Sequence, residues 1–196
     1  MTPALHQRLA KAKFRFSYGS NALNLGVTLR RRASEPVELL VTPEDAGRWL
    51  HAAGLFEEPV PIRESELLEL RELRDAIYRI GRAASENASP SASDLRLLNH
   101  AARRSEALPQ LNDDWSVRPV RADAFNTAYA TLARDAIAIF GSESERSRLR
   151  TCEQSDCAGL FLDRSRGERR RWCSMARCGN RAKVAAFRKR QKEEIS

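Results

Sequence analysis

Long apolar runs are missing from this 196-residue chain. No stretch approaches the roughly 20 apolar residues that a membrane-crossing helix needs. The opening segment, Met1 to Phe16, is basic but lacks the apolar run of a secretory signal. Catalytic signatures are missing as well. His6, His51 and His100 stand far apart, and there is no H-E-x-x-H, no Gly-rich phosphate loop and no Ser or Cys nucleophile motif. No internal repeat breaks the chain into units. Cysteine is absent until position 152. These absences predict a cytoplasmic protein that does not span a membrane and is not an enzyme.

What is present has the balance of a globular protein, with 42% hydrophobic and 31% charged residues. The net charge of +8 is unevenly spread. Residues 1–140 hold 19 basic and 18 acidic side chains, whereas residues 141–196 hold 15 and 8. A near-neutral body therefore carries a basic tail, and all four cysteines lie in that tail.

The body reads as mainly α. Thr42-Pro43-Glu44-Asp45 combines a capping residue, a first-turn proline and two acids at the positive end of the helix dipole. Ala46, Trp49, Leu50 and Ala53 then recur at helical spacing, with Gly54 as the stop. Leu67, Leu70, Leu73, Ile77 and Ile80 form one stripe of a long helix from Glu64 to Ala84. A loop through Pro90 leads to a shorter helix with Leu95, Leu98 and Ala102 inward. Leu111 to Val120 reads as extended around the turn residues Asn112-Asp113-Asp114. A last helix runs from Arg121 to Phe140, burying Phe125, Tyr129, Leu132 and Ala136. Phe14, Phe16 and Tyr18 alternate like a strand, and Ala22 to Arg30 suits a helix. Gly141 to Ser147, small and charged, marks a boundary between a helical domain at 1–145 and a module at 146–196.

Cys152, Cys157, Cys173 and Cys178 are spaced C-x4-C-x15-C-x4-C. Two short pairs, each on a chain reversal and joined by a hairpin-length spacer, meet the requirement of a tetrahedral zinc site. Two disulfides are the alternative, disfavoured because a chain without export marks rarely keeps them; an iron–sulfur centre is another. Four thiolates fill the coordination shell, so one Zn²⁺ here is expected to be structural. The tail has few large apolar residues, and removing the metal is expected to unfold it while leaving the helical body.

Several stretches form a recognisable pattern. They are Cys152-x4-Cys157, Phe161-x-Asp163-x-Ser165-Arg166, Arg170-Arg171-Trp172-Cys173-Ser174-Met175 and Cys178-Gly179-Asn180-Arg181. The tail resembles the CGNR zinc-finger family. Leu39-Leu40-Val41-Thr42-Pro43 with Trp49-Leu50 is similar to the helical N-terminal domain of that family, described as a stress-induced transcription regulator. Ala22 to Thr28 resembles its first motif, with Asn24 where an acid is usual and Val27 where Asn is usual. The resemblance implies a zinc-stabilised, DNA-binding regulator whose body dimerises or senses a small-molecule effector.

The basic residues suit that implication. Arg181 to Lys192 reads as a helix in which Arg181, Arg188 and Lys192 form one stripe, extended by Arg177, with Lys183 beside it. Val184 and Phe187 occupy another face, suited to packing on the zinc hairpin. Arg166, Arg169, Arg170 and Arg171 cluster in the hairpin turn and its return. Together these nine side chains are the candidate nucleic-acid contacts. Arg181 is placed either on phosphate or against Asp163, Asn180 either caps its turn or bonds a thiolate, and Trp172 packs beneath the knuckle. Gly179 supplies a backbone conformation that other residues dislike. The alternative function is an RNA-binding or protein-interaction adaptor using the same module.

Overall fold

The structure is a computed structural model, and it describes residues 14–104, 108–120 and 123–195. Its architecture is mainly α, as expected, with short antiparallel strand pairs at its margins.

Helix α1 (Asn21–Gly26) starts at Ser20, whose hydroxyl accepts the Leu23 N–H. It stops at Gly26, short of the expected Arg30, because Leu29–Arg30 (β1) instead pairs with Val37–Glu38 (β2). The Phe14-Phe16-Tyr18 stretch is not a strand, since its side chains go to different places. Phe14 enters the main core, Phe16 stacks on Trp49 with ring centroids 6.0 Å apart, and Tyr18 enters a second core.

Helix α2 (Pro43–Ala52) has the capping box that its sequence announces. Thr42 and Asp45 each accept the other's backbone N–H. Helix α3 (Glu64–Ser85) is the long central element and buries Leu67, Leu70, Leu73, Ile77 and Ile80. Helix α4 (Ala92–Ala102) turns differently from expectation. Its inward row is Asp94, Leu98 and Ala101, while Leu95 is 38% exposed. Asp94 holds that register because it must face Arg79 on α3, which donates to both carboxylate oxygens at 2.6–3.2 Å.

Strands β3 (Leu108–Leu111) and β4 (Val117–Val120) form a hairpin whose tip exposes Trp115. Helix α5 (Ala124–Gly141) begins after Asp123, which accepts the Asn126 N–H at 3.0 Å and so sets a later start than Arg121. A single turn, α6 (Glu143–Arg146), leads into the tail.

The main core lies between α1, α2, α3, α4 and α5. Beside it, buried Arg74 on α3 anchors the β1–β2 pair by donating to both Glu38 oxygens at 2.7 Å. Arg32 does the same through Asp75 at 2.7 Å while lying over the Tyr78 ring. The strand pair is thereby fixed in front of the region where the cysteine module packs.

Arg79 holds the Asp94 carboxyl below the usual aspartate range, against the opposing effect of burial. The bond therefore stabilises the fold above the ordinary aspartate pKa of about 3.9, and this is lost as pH falls through the depressed value. Asp94→Asn is expected to lower stability at pH 7 and to flatten its acid dependence in urea melts at a series of pH values. An unchanged acid dependence would contradict this role.

Candidate metal centre and nucleic-acid interface

The module opens with β5 (Leu149–Thr151), which pairs with β6 (Leu160–Leu162) in the register Leu149↔Leu162. Here the structure corrects the expected hairpin. β6 turns back onto the segment before Cys152 rather than onto Arg171-Trp172. The first cysteine pair thus sits in the β5–β6 connection, where the Cys152 N–H donates to the Gly159 carbonyl at 2.9 Å. Arg171 still lies alongside, its carbonyl accepting the Glu153 N–H at 2.9 Å.

The charged turn after β6 is built on Asp163, which is fully buried. Its Oδ1 accepts the Ser165 N–H and hydroxyl at 3.0 and 2.6 Å, and its Oδ2 accepts the Arg170 N–H at 2.7 Å. Burial alone would raise the carboxyl's pKa, but these hydrogen bonds outweigh it and hold the group ionised. Arg170 in turn crosses the Phe161 ring and donates to the Cys173 carbonyl at 2.7 Å. A π-helical turn (Met175–Gly179) then brings Cys178 back toward Cys173. Gly179 has no positive φ, so its conformation is not the constraint. A Cβ there would lie 3.3 Å from the Met175 thioether, which would have to shift by a few tenths of an ångström. Asn180 caps this turn by donating to the Ala176 carbonyl at 3.1 Å.

The result is a cluster in which all four Sγ atoms lie within 4.8 Å of one another. Cys157 and Cys173 are 3.8 Å apart, and Cys173 and Cys178 are 3.6 Å apart. Disulfide sulfurs would be about 2.05 Å apart, so these are free thiols. A tetrahedron with metal–sulfur bonds of about 2.3 Å has edges of about 3.8 Å. Left to themselves the thiols cannot all ionise. Hydrogen bonds from Cys157 and Cys173 pull Cys152 down, and Cys152 pushes both of those up. A divalent cation removes that conflict. Backbone and side-chain donors already face the sulfurs, with the Cys173 N–H 3.4 Å from Cys152 Sγ and the Arg181 guanidinium 3.5 Å from Cys178 Sγ. The cluster is a metal-binding site by donor type, spacing and surroundings.

Helix α7 (Asn180–Ile195) continues directly from the π turn. Val184 and Phe187 do not pack on the hairpin as expected. They are 48% and 55% exposed. The candidate basic contacts divide into two groups. Arg170 is committed to Cys173 and Phe161, Arg171 to Glu153 and the Trp172 ring, and Arg181 to Asp156 at 2.6 Å and Cys178. Arg181 is therefore a brace, with Asp156 in the place envisaged for Asp163. Arg166, Arg169, Arg177, Lys183 and Arg188 are exposed, with no ion pair among the described residues. Lys192 falls in the last turns of α7, and its side chain lies outside the described ones.

The module does not stand apart from the body. Leu149, Leu160, Phe161, Leu162 and three of the cysteines share one buried cluster with Tyr18, Leu23, Val27 and Ile139. The Leu162 N–H donates to the Tyr18 carbonyl at 3.0 Å, and the Tyr78 hydroxyl donates to the Ala158 carbonyl at 3.0 Å. Gly81 on α3 admits Leu160 so closely that a Cβ would sit 2.6 Å from its Cδ1. Tyr18 and Asp156 were not legible as parts of the site. Asp163 was partly legible, since Asp followed two residues later by Ser is a side-chain turn signature.

Comparison with known proteins finds two family matches, one on each side of residues 144–147. The family ABATE, described as "Putative stress-induced transcription regulator", matches residues 19–143. The CGNR zinc finger matches residues 148–191. No curated protein matches the chain.

Two substitutions separate ligand from brace. Cys178→Ser is expected to abolish stoichiometric metal uptake, measured by elemental analysis after gel filtration. Arg181→Ala is expected to keep the stoichiometry but weaken affinity about 10–100-fold in a chelator competition. An Arg181→Ala protein that holds metal as tightly as wild type would remove the bracing role.

Proposed function

Because the chain belongs to the ABATE family by its match over residues 19–143 and ends in a CGNR zinc finger, we propose that it is a transcription regulator whose zinc module binds DNA. One Zn²⁺ is held by Cys152, Cys157, Cys173 and Cys178, and with four thiolates it leaves no open position for chemistry. Its part is to hold the two knuckles together. No step of this reading is catalytic. The protein works in the cytoplasm, with residues 1–145 as the sensing or dimerising part and 146–196 as the DNA-contacting part.

The observation that carries DNA binding is the division of the arginines. A metal–tetrathiolate site has a net charge of −2, and neutralising it would account for cations placed next to the sulfurs. Arg181 is one such cation, 3.5 Å from Cys178 Sγ. Arg166, Arg169, Arg177, Lys183 and Arg188 are of another kind, since they are exposed and have no ion pair among the described residues. Such a cationic surface is what a phosphate backbone selects.

Five such cations on phosphates would give a log–log salt dependence of about −4 to −5 for duplex DNA. Arg166→Glu with Arg188→Glu is expected to weaken binding at least 10-fold and to reduce the slope by about 2, measured by fluorescence anisotropy across a salt series. Binding that ignores salt, or that prefers structured RNA or heparin over duplex DNA, would overturn the reading.

A further inference from the structure

Between the β1–β2 pair and α7 lies a cleft of about 810 Å³, within the usual range for small-molecule sites. Arginines line it from both sides, Arg15, Arg30 and Arg31 from the body and Arg177, Arg181 and Arg188 from the module. Among the described residues, no carboxylate lines it. Carboxylates outside the lining meet part of this charge, with Asp156 3.6 Å from Arg31 and 2.6 Å from Arg181, and Glu35 3.7 Å from Arg31. The rest of the wall is mostly apolar, with Val27, Leu29 and Val37 from the body and Val184 and Ala185 from α7, and it also includes Tyr18, Asn180 and the cysteine Cys157. Burial first, and then the charges of Arg15 and Arg177, lower the pKa of Arg30, with Tyr18 opposing them.

We propose that this cleft binds a compact organic anion, one or two rings carrying a carboxylate or sulfonate. The arginines call for an anion. The apolar wall argues against bare phosphate and against the duplex backbone, neither of which has a surface to lay against Val27, Leu29 and Val184. The cleft also explains why α7 leaves Val184 half-exposed, since its neighbour is the occupant rather than the hairpin. Such a ligand would bridge the body to α7 and cover Arg177 and Arg188. Resting on the DNA reading above, this makes occupancy and DNA binding mutually exclusive, each lowering the affinity for the other by the same factor.

The test uses the full zinc-loaded chain and 8-anilinonaphthalene-1-sulfonate as probe, followed by its fluorescence. Wild type is expected to saturate as a single site. Arg30→Gln and Val37→Glu are each expected to weaken binding at least 10-fold, while Arg96→Glu, on the exposed side of α4, leaves it unchanged. Naphthalene-2-sulfonate should displace the probe, and sodium sulfate at equal concentration should not. No saturable binding, equal binding in all variants, or displacement by sulfate would overturn the site. Duplex DNA held at full affinity beside bound probe would overturn the exclusion alone, because the fluorescence titration needs no DNA.

Discussion

Four sulfur atoms confined within 4.8 Å are the constraint on which the rest of this structure depends. Thiols so crowded repel one another when ionised and lack a packing reason to converge. A metal reverses that balance, and in small zinc modules it contributes an apparent ~10–16 kcal/mol to folding at neutral pH. Here the effect reaches beyond the knuckles. The knuckles place Phe161 and its neighbours against Tyr18, Leu23, Val27 and Ile139, so a metal bound there would also support a core that belongs partly to the body. Asp163, Arg170 and Arg181 then act as struts. Each ties one piece of irregular chain to a strand or to a sulfur.

This arrangement changes what the basic residues mean. Charge excess in the tail looks uniform along the chain, but in three dimensions part of it is consumed internally. Arg170, Arg171 and Arg181 stabilise the module, and their loss would impair any function indirectly. The exposed set on the turn and on α7 has no such employment and is what an anionic partner would meet. The cleft behind α7 mixes both kinds, joining Arg181 and its partner Arg31 to Arg177 and Arg188. A residue there can serve metal, ligand and nucleic acid in different ways, which is how a binding event in the cleft could change the outer face.

Much of the body was legible because its signals are local. The Thr42–Asp45 box, the Leu67-to-Ile80 stripe and the turn at Asn112 each depend on residues a few positions apart. The metal site was legible for a similar reason, through cysteine spacing. Errors arose where a distant partner decides. Leu95 faces outward because Asp94 must meet Arg79, and β6 pairs with β5 rather than Arg171-Trp172 because the hairpin encloses the first knuckle. Val184 and Phe187 have helical spacing that suits packing, yet nothing in that spacing says in which direction α7 departs. The cleft was invisible for the same reason, since it joins residues near position 30 to residues near 180.

The central claim is that one bound ion holds both the module and the adjoining face of the body. Hydrogen exchange followed by mass spectrometry, with zinc present and after its removal by chelator, tests this most directly. The account predicts that peptides covering 18–27 lose protection together with those covering 149–178, while α4 keeps its own. Loss confined to 149–178, or no loss anywhere, would contradict it.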